Sequence, residues 1–211
     1  MNCYRTFVAL IGIAAACMAV SSCQDNQKST TMSDQNPVIE NMMARRSIRQ
    51  YQPQPVEREK MEVILNCGIN APNGQNKQSW EIRVVDDPAQ MNAIIEAMAK
   101  ANPEVDPAAM RSCYRGAPTM VFIANDLSYD FSQVDCGLLA ENMMLSAWSL
   151  GVGSICLGSP VRFINRIPAT DPVMQLLDFS PGYRLLLCVG FGYADESPAA
   201  KPRNPEKIKF L

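Results

Sequence analysis

An α+β fold, a sheet flanked by helices, is what three features of this 211-residue chain predict. Four short apolar segments have strand character, at residues 80–85, 119–124, 154–157 and 183–191. Amphipathic helical segments interleave with them, and regular strand-helix-strand units are few, which favours layered α+β over a doubly wound sheet.

Asn36-Pro37 starts the first helix, with Asn able to cap and Pro suited to the first turn. Val38, Ile39, Met42 and Met43 then form an apolar stripe, and the helix ends near Arg45. Pro53 and Pro55 break the next stretch, and residues 57–69 resume helical spacing with Met61, Ile64, Leu65 and Gly68 on one side. Residues 71–79 carry Pro72, Gly74 and several amides, so they read as a loop before the alternating strand at 80–85. Residues 88–101 form an amphipathic helix with Met91, Ile94, Ile95 and Met98 inward. Residues 102–116 read as irregular, with Arg111, Tyr114 and Arg115 either overhanging a pocket or lying on the surface. After the nearly continuous apolar strand at 119–124, residues 131–150 form the longest helix, apolar or small at nearly every position from Cys136 to Ala147 and so buried on more than one face. Gly151-Val152-Gly153 ends it, Pro160 and Pro172 open two short helices, and no internal repeat is present.

The N-terminus has a separate character. Arg5 is the only charge before Asp25, and the apolar or small run at residues 7–20 ends in Val20-Ser21-Ser22-Cys23, the pattern of a secretory signal peptide. That run spans about 21 Å of helix at 1.5 Å per residue, short of a bilayer core. The residues before Cys23 resemble a bacterial lipobox. The resemblance implies cleavage after Ser22, lipidation of Cys23 and export to the periplasmic or cell-surface side of a bacterial membrane, held there by a lipid anchor alone. An ordinary signal peptide, residues 1–22, is the alternative. Residues 23–36 are polar without apolar period and read as a flexible tether to a domain over 37–211.

Taking Arg5 from the 19 basic and 21 acidic side chains leaves the processed chain at −3. No global basic field exists to attract a phosphate backbone, so nucleic acid is excluded as a partner, and local basic clusters point to a small anion. Five cysteines follow Cys23 with no CxxC and no zinc spacing, so no metal site is expected. The chain has no histidine, which removes Ser-His-Asp and Cys-His hydrolases and imidazole acid/base catalysis. An enzyme of this composition draws its reactivity from a cofactor.

The residues that carry chemistry lie far apart in sequence. Arg45-Arg46-Ser47-Ile48-Arg49 and Lys201-Pro202-Arg203 bracket the amide-rich turn Ala71-Pro72-Asn73-Gly74-Gln75-Asn76-Lys77-Gln78-Ser79-Trp80. A phosphate monoester calls for guanidinium forks, an ammonium and a hydroxyl, whereas a planar heterocycle with alternating donors and acceptors calls for Asn and Gln. Each cluster has a plainer reading: Arg45 and Arg46 also suit a helix C-terminus, and Lys201 and Arg203 a solvated tail.

The ordered set of these clusters, with Gly151 to Gly158 after the long helix, resembles the FMN-dependent nitroreductase family over about residues 36–210. The resemblance implies a mainly antiparallel central sheet, FMN as cofactor, and NADH or NADPH as hydride donor to a nitroaromatic, quinone or similar small-molecule acceptor by a ping-pong mechanism. It also implies a homodimer with FMN at the interface. By the same resemblance Arg45, Ser47, Lys201 and Arg203 hold the FMN phosphate, with Arg46 beside the ribityl-phosphate. Arg49 approaches N1/O2, Asn76 binds the pyrimidine edge with Gln78 supporting that loop, and the backbone at Leu157-Gly158 lies beside N5. No side chain is assigned as catalytic, because flavin N5 carries the chemistry. Two departures stand out: Ser79, where the family often has Pro, is expected to alter only loop stiffness, and Leu157, where some members have an acid, to alter which acceptors fit. Gly151-Val152-Gly153 follows a helix and has Cys156 at the third glycine position, so no separate dinucleotide domain is expected. A tethered flavin-binding protein without turnover is the alternative to an enzyme.

Overall fold

The computed structural model describes residues 36–168 and 170–211. The signal peptide, Cys23 and all of the tether before Asn36 lie outside the described residues.

Four antiparallel strands, β1 (Trp80–Val85), β2 (Thr119–Asp126), β3 (Gly153–Leu157) and β4 (Tyr183–Gly192), form one sheet in the order β1-β2-β4-β3. The helices are α1 (Pro37–Ala44), α2 (Arg58–Ile69), α3 (Pro88–Ala101), α4 (Pro107–Ser112), α5 (Ser132–Ser149), α6 (Ser159–Ile164) and α7 (Pro172–Leu177). Successive side chains of a strand face opposite ways. Met120 and Phe122 of β2 accordingly enter a core with Ile94, Met98, Met110 and Ile164, while Val121 and Ile123 enter a second core with Ile64, Leu139 and Met143. Burial on both faces explains why β2 reads as a continuous apolar run although its neighbours are antiparallel.

Residues 102–116 depart from the expectation of irregular chain. Asp106 caps α4 by accepting from the Ala108 N–H at 2.9 Å, with Pro107 in the first turn. Tyr114 overhangs no pocket: it is buried, with its ring edge-on to Phe122 and its hydroxyl donating to Met98 Sδ. Arg111 donates to Asn92 Oδ1 on α3 at 2.8 Å.

The long helix α5 also departs from expectation. It buries Asp135, Cys136, Leu139, Ala140, Met143 and Ala147 on one face, while Val134 and Leu138 remain exposed on another. The stripe on α1 behaves likewise, since Val38, Met42 and Met43 are all exposed. Among the described residues no helix is long and apolar enough to cross a membrane. All five described cysteines are free thiols.

Leu139→Ala, at a fully buried position, is expected to cost about 2–5 kcal/mol in urea unfolding, whereas Val63→Ala on the exposed side of α2 should change stability by less than about 0.5 kcal/mol.

Candidate functional site

The segment after α1 is where the first basic cluster is set. Asn36 caps the helix through Oδ1, which accepts from the N–H groups of Val38 and Ile39, and Arg45 turns the chain into an extended path at ψ 136°. Ser47 pairs with Ser154 at the start of β3, with the Ile48 N–H donating to Ser154 O at 3.0 Å. Ile48 is 1% exposed, and its close approach requires a glycine at 153, where a Cβ would sit 2.8 Å from Ile48 Cγ1. In an extended chain the inward Ile48 sends Ser47 and Arg49 to the other side.

The second basic cluster reaches the first by backbone pairing. Beyond β4 the chain runs antiparallel to residues 50–52: the Gln52 N–H donates to Tyr193 O, Tyr51 bridges Ala194, and the Asp195 N–H donates to Gln50 O. The Arg49 N–H donates to Glu196 Oε1. This register brings residues 198–203 back over residues 45–49.

Arg45, Arg46, Ser47, Arg49, Lys201 and Arg203 line one cleft of about 120 Å³, with Pro198 and Ala199 completing the wall. Five cations repel one another, and local acceptors offset part of this. Arg45 Nε faces Glu141 Oε1 at 3.4 Å, the one ion pair of the five cations among the described residues. Arg46 donates to the carbonyls of Met43 and Arg45, Arg49 to Ser47 O, and Arg203 to Lys201 O. Arg45 Nε is nonetheless buried without a hydrogen-bond partner, as is Ser154 Oγ. A cleft with several cations and a hydroxyl fits a phosphate monoester. Pockets that enclose a whole drug-sized ligand measure about 300–1,000 Å³, so this cleft encloses only an anionic end.

Four of the ten residues assigned by resemblance lie outside this cleft. Leu157 ends β3 and Gly158 leads into α6, with Leu157 three residues beyond Ser154, or about 10 Å along the strand at 3.3 Å per residue. The expectation that the Leu157 side chain shapes acceptor fit is corrected: it is 6% exposed and packs in the core with Ile155 and Cys188. Strand alternation turns Cys156 outward instead. Its thiol is raised above the ordinary value by burial and then by Glu141, while Arg45 acts in the opposite sense.

Asn76 and Gln78 sit in a turn of unusual backbone. Gln75, Asn76 and Gln78 are left-handed, with φ of 55°, 53° and 50°. Non-glycine residues held there cost on the order of 1–3 kcal/mol each and need surrounding structure to hold them. Asn73 Oδ1 accepts from the Gln78 N–H at 3.0 Å, and the Lys77 N–H donates to Gly74 O at 3.0 Å. Lys77 Nζ lies 4.1 Å from the centroid of the Tyr129 ring, whose hydroxyl leaves no room for a Cβ on Gly74.

Ser79 does more than change loop stiffness, which corrects that expectation. It is 2% exposed and donates from Oγ to Asp135 Oδ2 at 2.6 Å, while the Gly74 N–H donates to Asp135 Oδ1 at 2.9 Å. Sequence reading missed Asp135, although a lone acid beside the apolar run from Cys136 was the available signal. Glu141 and Glu196 were missed for want of any local pattern. Among the described residues no group of three or more potential ligands could hold a metal ion.

The model described as Nitroreductase family matches residues 42–193. The chain is 28% identical over 183 residues to the NADPH-flavin oxidoreductase of Vibrio harveyi, covering 82% of this chain and 72% of that protein. The fold is similar to a nitroreductase with bound FMN from Bacteroides fragilis NCTC 9343, at a TM-score of 0.71 and 26% identity, covering 83% of this chain and 99% of the other. It is also similar to a nitroreductase with bound FMN from Desulfitobacterium hafniense DCB-2, at a TM-score of 0.74 and 24% identity, covering 83% and 98%.

Glu141→Gln removes the carboxylate that faces Arg45, so the variant should bind inorganic phosphate more tightly than the parent by calorimetry at low salt. The gain should shrink as salt screens the charges, and equal affinities would place Glu141 outside the field that an anion feels.

Proposed function

The chain belongs to the nitroreductase family, and on that premise we propose that it acts as an FMN-dependent NAD(P)H oxidoreductase, passing hydride to a nitroaromatic, quinone or similar acceptor. The convergence of Arg45, Ser47, Lys201 and Arg203 on one cleft, from opposite ends of the chain, carries this reading. Those four side chains hold the FMN phosphate, and Arg46 lies beside the ribityl-phosphate. Arg49 serves the N1/O2 side, where a fixed guanidinium favours the negative charge of the reduced ring. Asn76 pairs with the pyrimidine edge, Gln78 supports its turn, and the backbone at Leu157-Gly158 adjoins N5.

FMN, when bound, would supply the two-electron chemistry through its N5. The protein's part is to bind, orient and shield, and water supplies protons, which suits a chain without histidine. Donor and acceptor occupy one pocket in turn, so the kinetics are ping-pong.

The working form is a homodimer with FMN at the interface. The exposed Val134 and Leu138 on α5 support this, as do the exposed Val38 and Met42 on α1, which flank an apolar groove of about 330 Å³. Cys23 carries the lipid anchor to a bacterial membrane, and residues 23–36 tether the domain to it.

The purified protein should be yellow, bleach with NADH or NADPH in the absence of oxygen, and recolour with an acceptor. Colourless protein after incubation with FMN overturns the reading, and yellow protein that does not bleach leaves only flavin binding. Arg203→Ala should weaken FMN retention about tenfold or more, with a smaller dependence on salt than the parent, because one charged phosphate contact is lost. Leu138→Glu should shift the protein to monomer in sedimentation and lower FMN occupancy with it.

A further inference from the structure

The left-handed turn that carries Asn76 and Gln78 is held from beneath by one acid. Asp135 is 0% exposed and lies in the first turn of α5, where the helix N-terminus favours negative charge. Its two oxygens take the two ends of the turn separately, Oδ1 from the Gly74 N–H and Oδ2 from the Ser79 hydroxyl. A buried carboxylate is tolerated only where such donors satisfy it, and among the described residues no cation lies within ion-pair distance of it. The four residues between Gly74 and Ser79 contain all three left-handed amide residues, and the side chains of Asn76 and Gln78 are exposed. Among the described residues those two side chains make no hydrogen bond, so their direction is set by the backbone, which Asp135 fixes at its two ends and Asn73 Oδ1 braces at the Gln78 N–H.

We propose that Asp135 is a positioning residue for the flavin ring: its carboxylate fixes both ends of the amide turn and thereby aims Asn76 at the pyrimidine edge, with Ser79 as its partner. This rests on the flavin reading above. Asp135 contacts neither cofactor nor substrate in this role. It is separate from the cationic cleft, which neither Asp135 nor Ser79 lines. The chain therefore binds the two ends of one ligand through two independent devices, a charged cleft for the phosphate and a carboxylate-clamped turn for the ring.

The separation makes the test selective. Asp135→Asn keeps the shape but puts an amide N–H₂ against one of the two donors, and Ser79→Ala removes one bond alone. Both variants should bind FMN at least tenfold more weakly in a fluorescence titration, with the bound flavin's visible spectrum and reduction potential displaced from the parent's. Their affinity for inorganic phosphate, by calorimetry on the flavin-free protein, should equal the parent's, whereas Arg203→Ala should lose phosphate affinity. The double variant should lose no more than the worse single one, because the two residues act through one bond network. If Asp135→Asn does not fold, as judged by its thermal transition, Ser79→Ala carries the test. An unchanged spectrum, potential and FMN affinity in Ser79→Ala, or an equal loss of phosphate and FMN affinity, overturns the positioning role while leaving the flavin reading intact. Failure of the parent to bind FMN overturns the flavin reading itself.

Discussion

Like charges do not gather unaided, so the constraint on which this molecule depends is the apolar and backbone anchoring of its basic cleft. Ile48 does this work: buried against a glycine on β3, it pins an extended segment whose alternate residues are Ser47 and Arg49. Backbone pairing of residues 50–52 with the chain beyond β4 then brings Lys201 and Arg203 to the same place. The repulsion among the cations is borne by the sheet. Acceptors at Glu141 and at nearby carbonyls relieve it in part without neutralising it.

The clusters of Arg45-Arg46-Ser47 and Lys201-Pro202-Arg203 were legible in the sequence because runs of cations stand out on an acidic chain, and the structure brings them to one cleft. Most elements were legible too, since Pro and capping Asn or Asp mark the helix starts. The short α4 was not, because its six residues hold too little periodicity to register, and only Asp106-Pro107 signals it. Leu157 shows the limit of reasoning by position alone: its backbone lies where expected along β3, but strand alternation sends its side chain to the core and leaves Cys156 outside. Asp135 escaped because a single buried acid acquires meaning only from donors that fold onto it, in this case from residues some sixty positions away.

α5 ties these features together through its period. Asp135 lies on the face buried against the sheet, where it holds the amide turn, and Glu141 lies on another, where it meets Arg45. Val134, Leu138, Glu141 and Leu145 follow one another at steps of four, three and four, so they line one stripe of the helix. The exposed apolar residues and the carboxylate at the basic cleft therefore share a face. The cleft of about 120 Å³ reaches this stripe through Arg45, which lines the cleft and meets Glu141. Covering the stripe with a second copy of the chain would remove apolar surface from water and, by the same movement, wall the space next to the cleft. In that arrangement cofactor binding and subunit association are linked, each favouring the other, because the surface that a ring needs for shelter is the surface that the partner needs for burial.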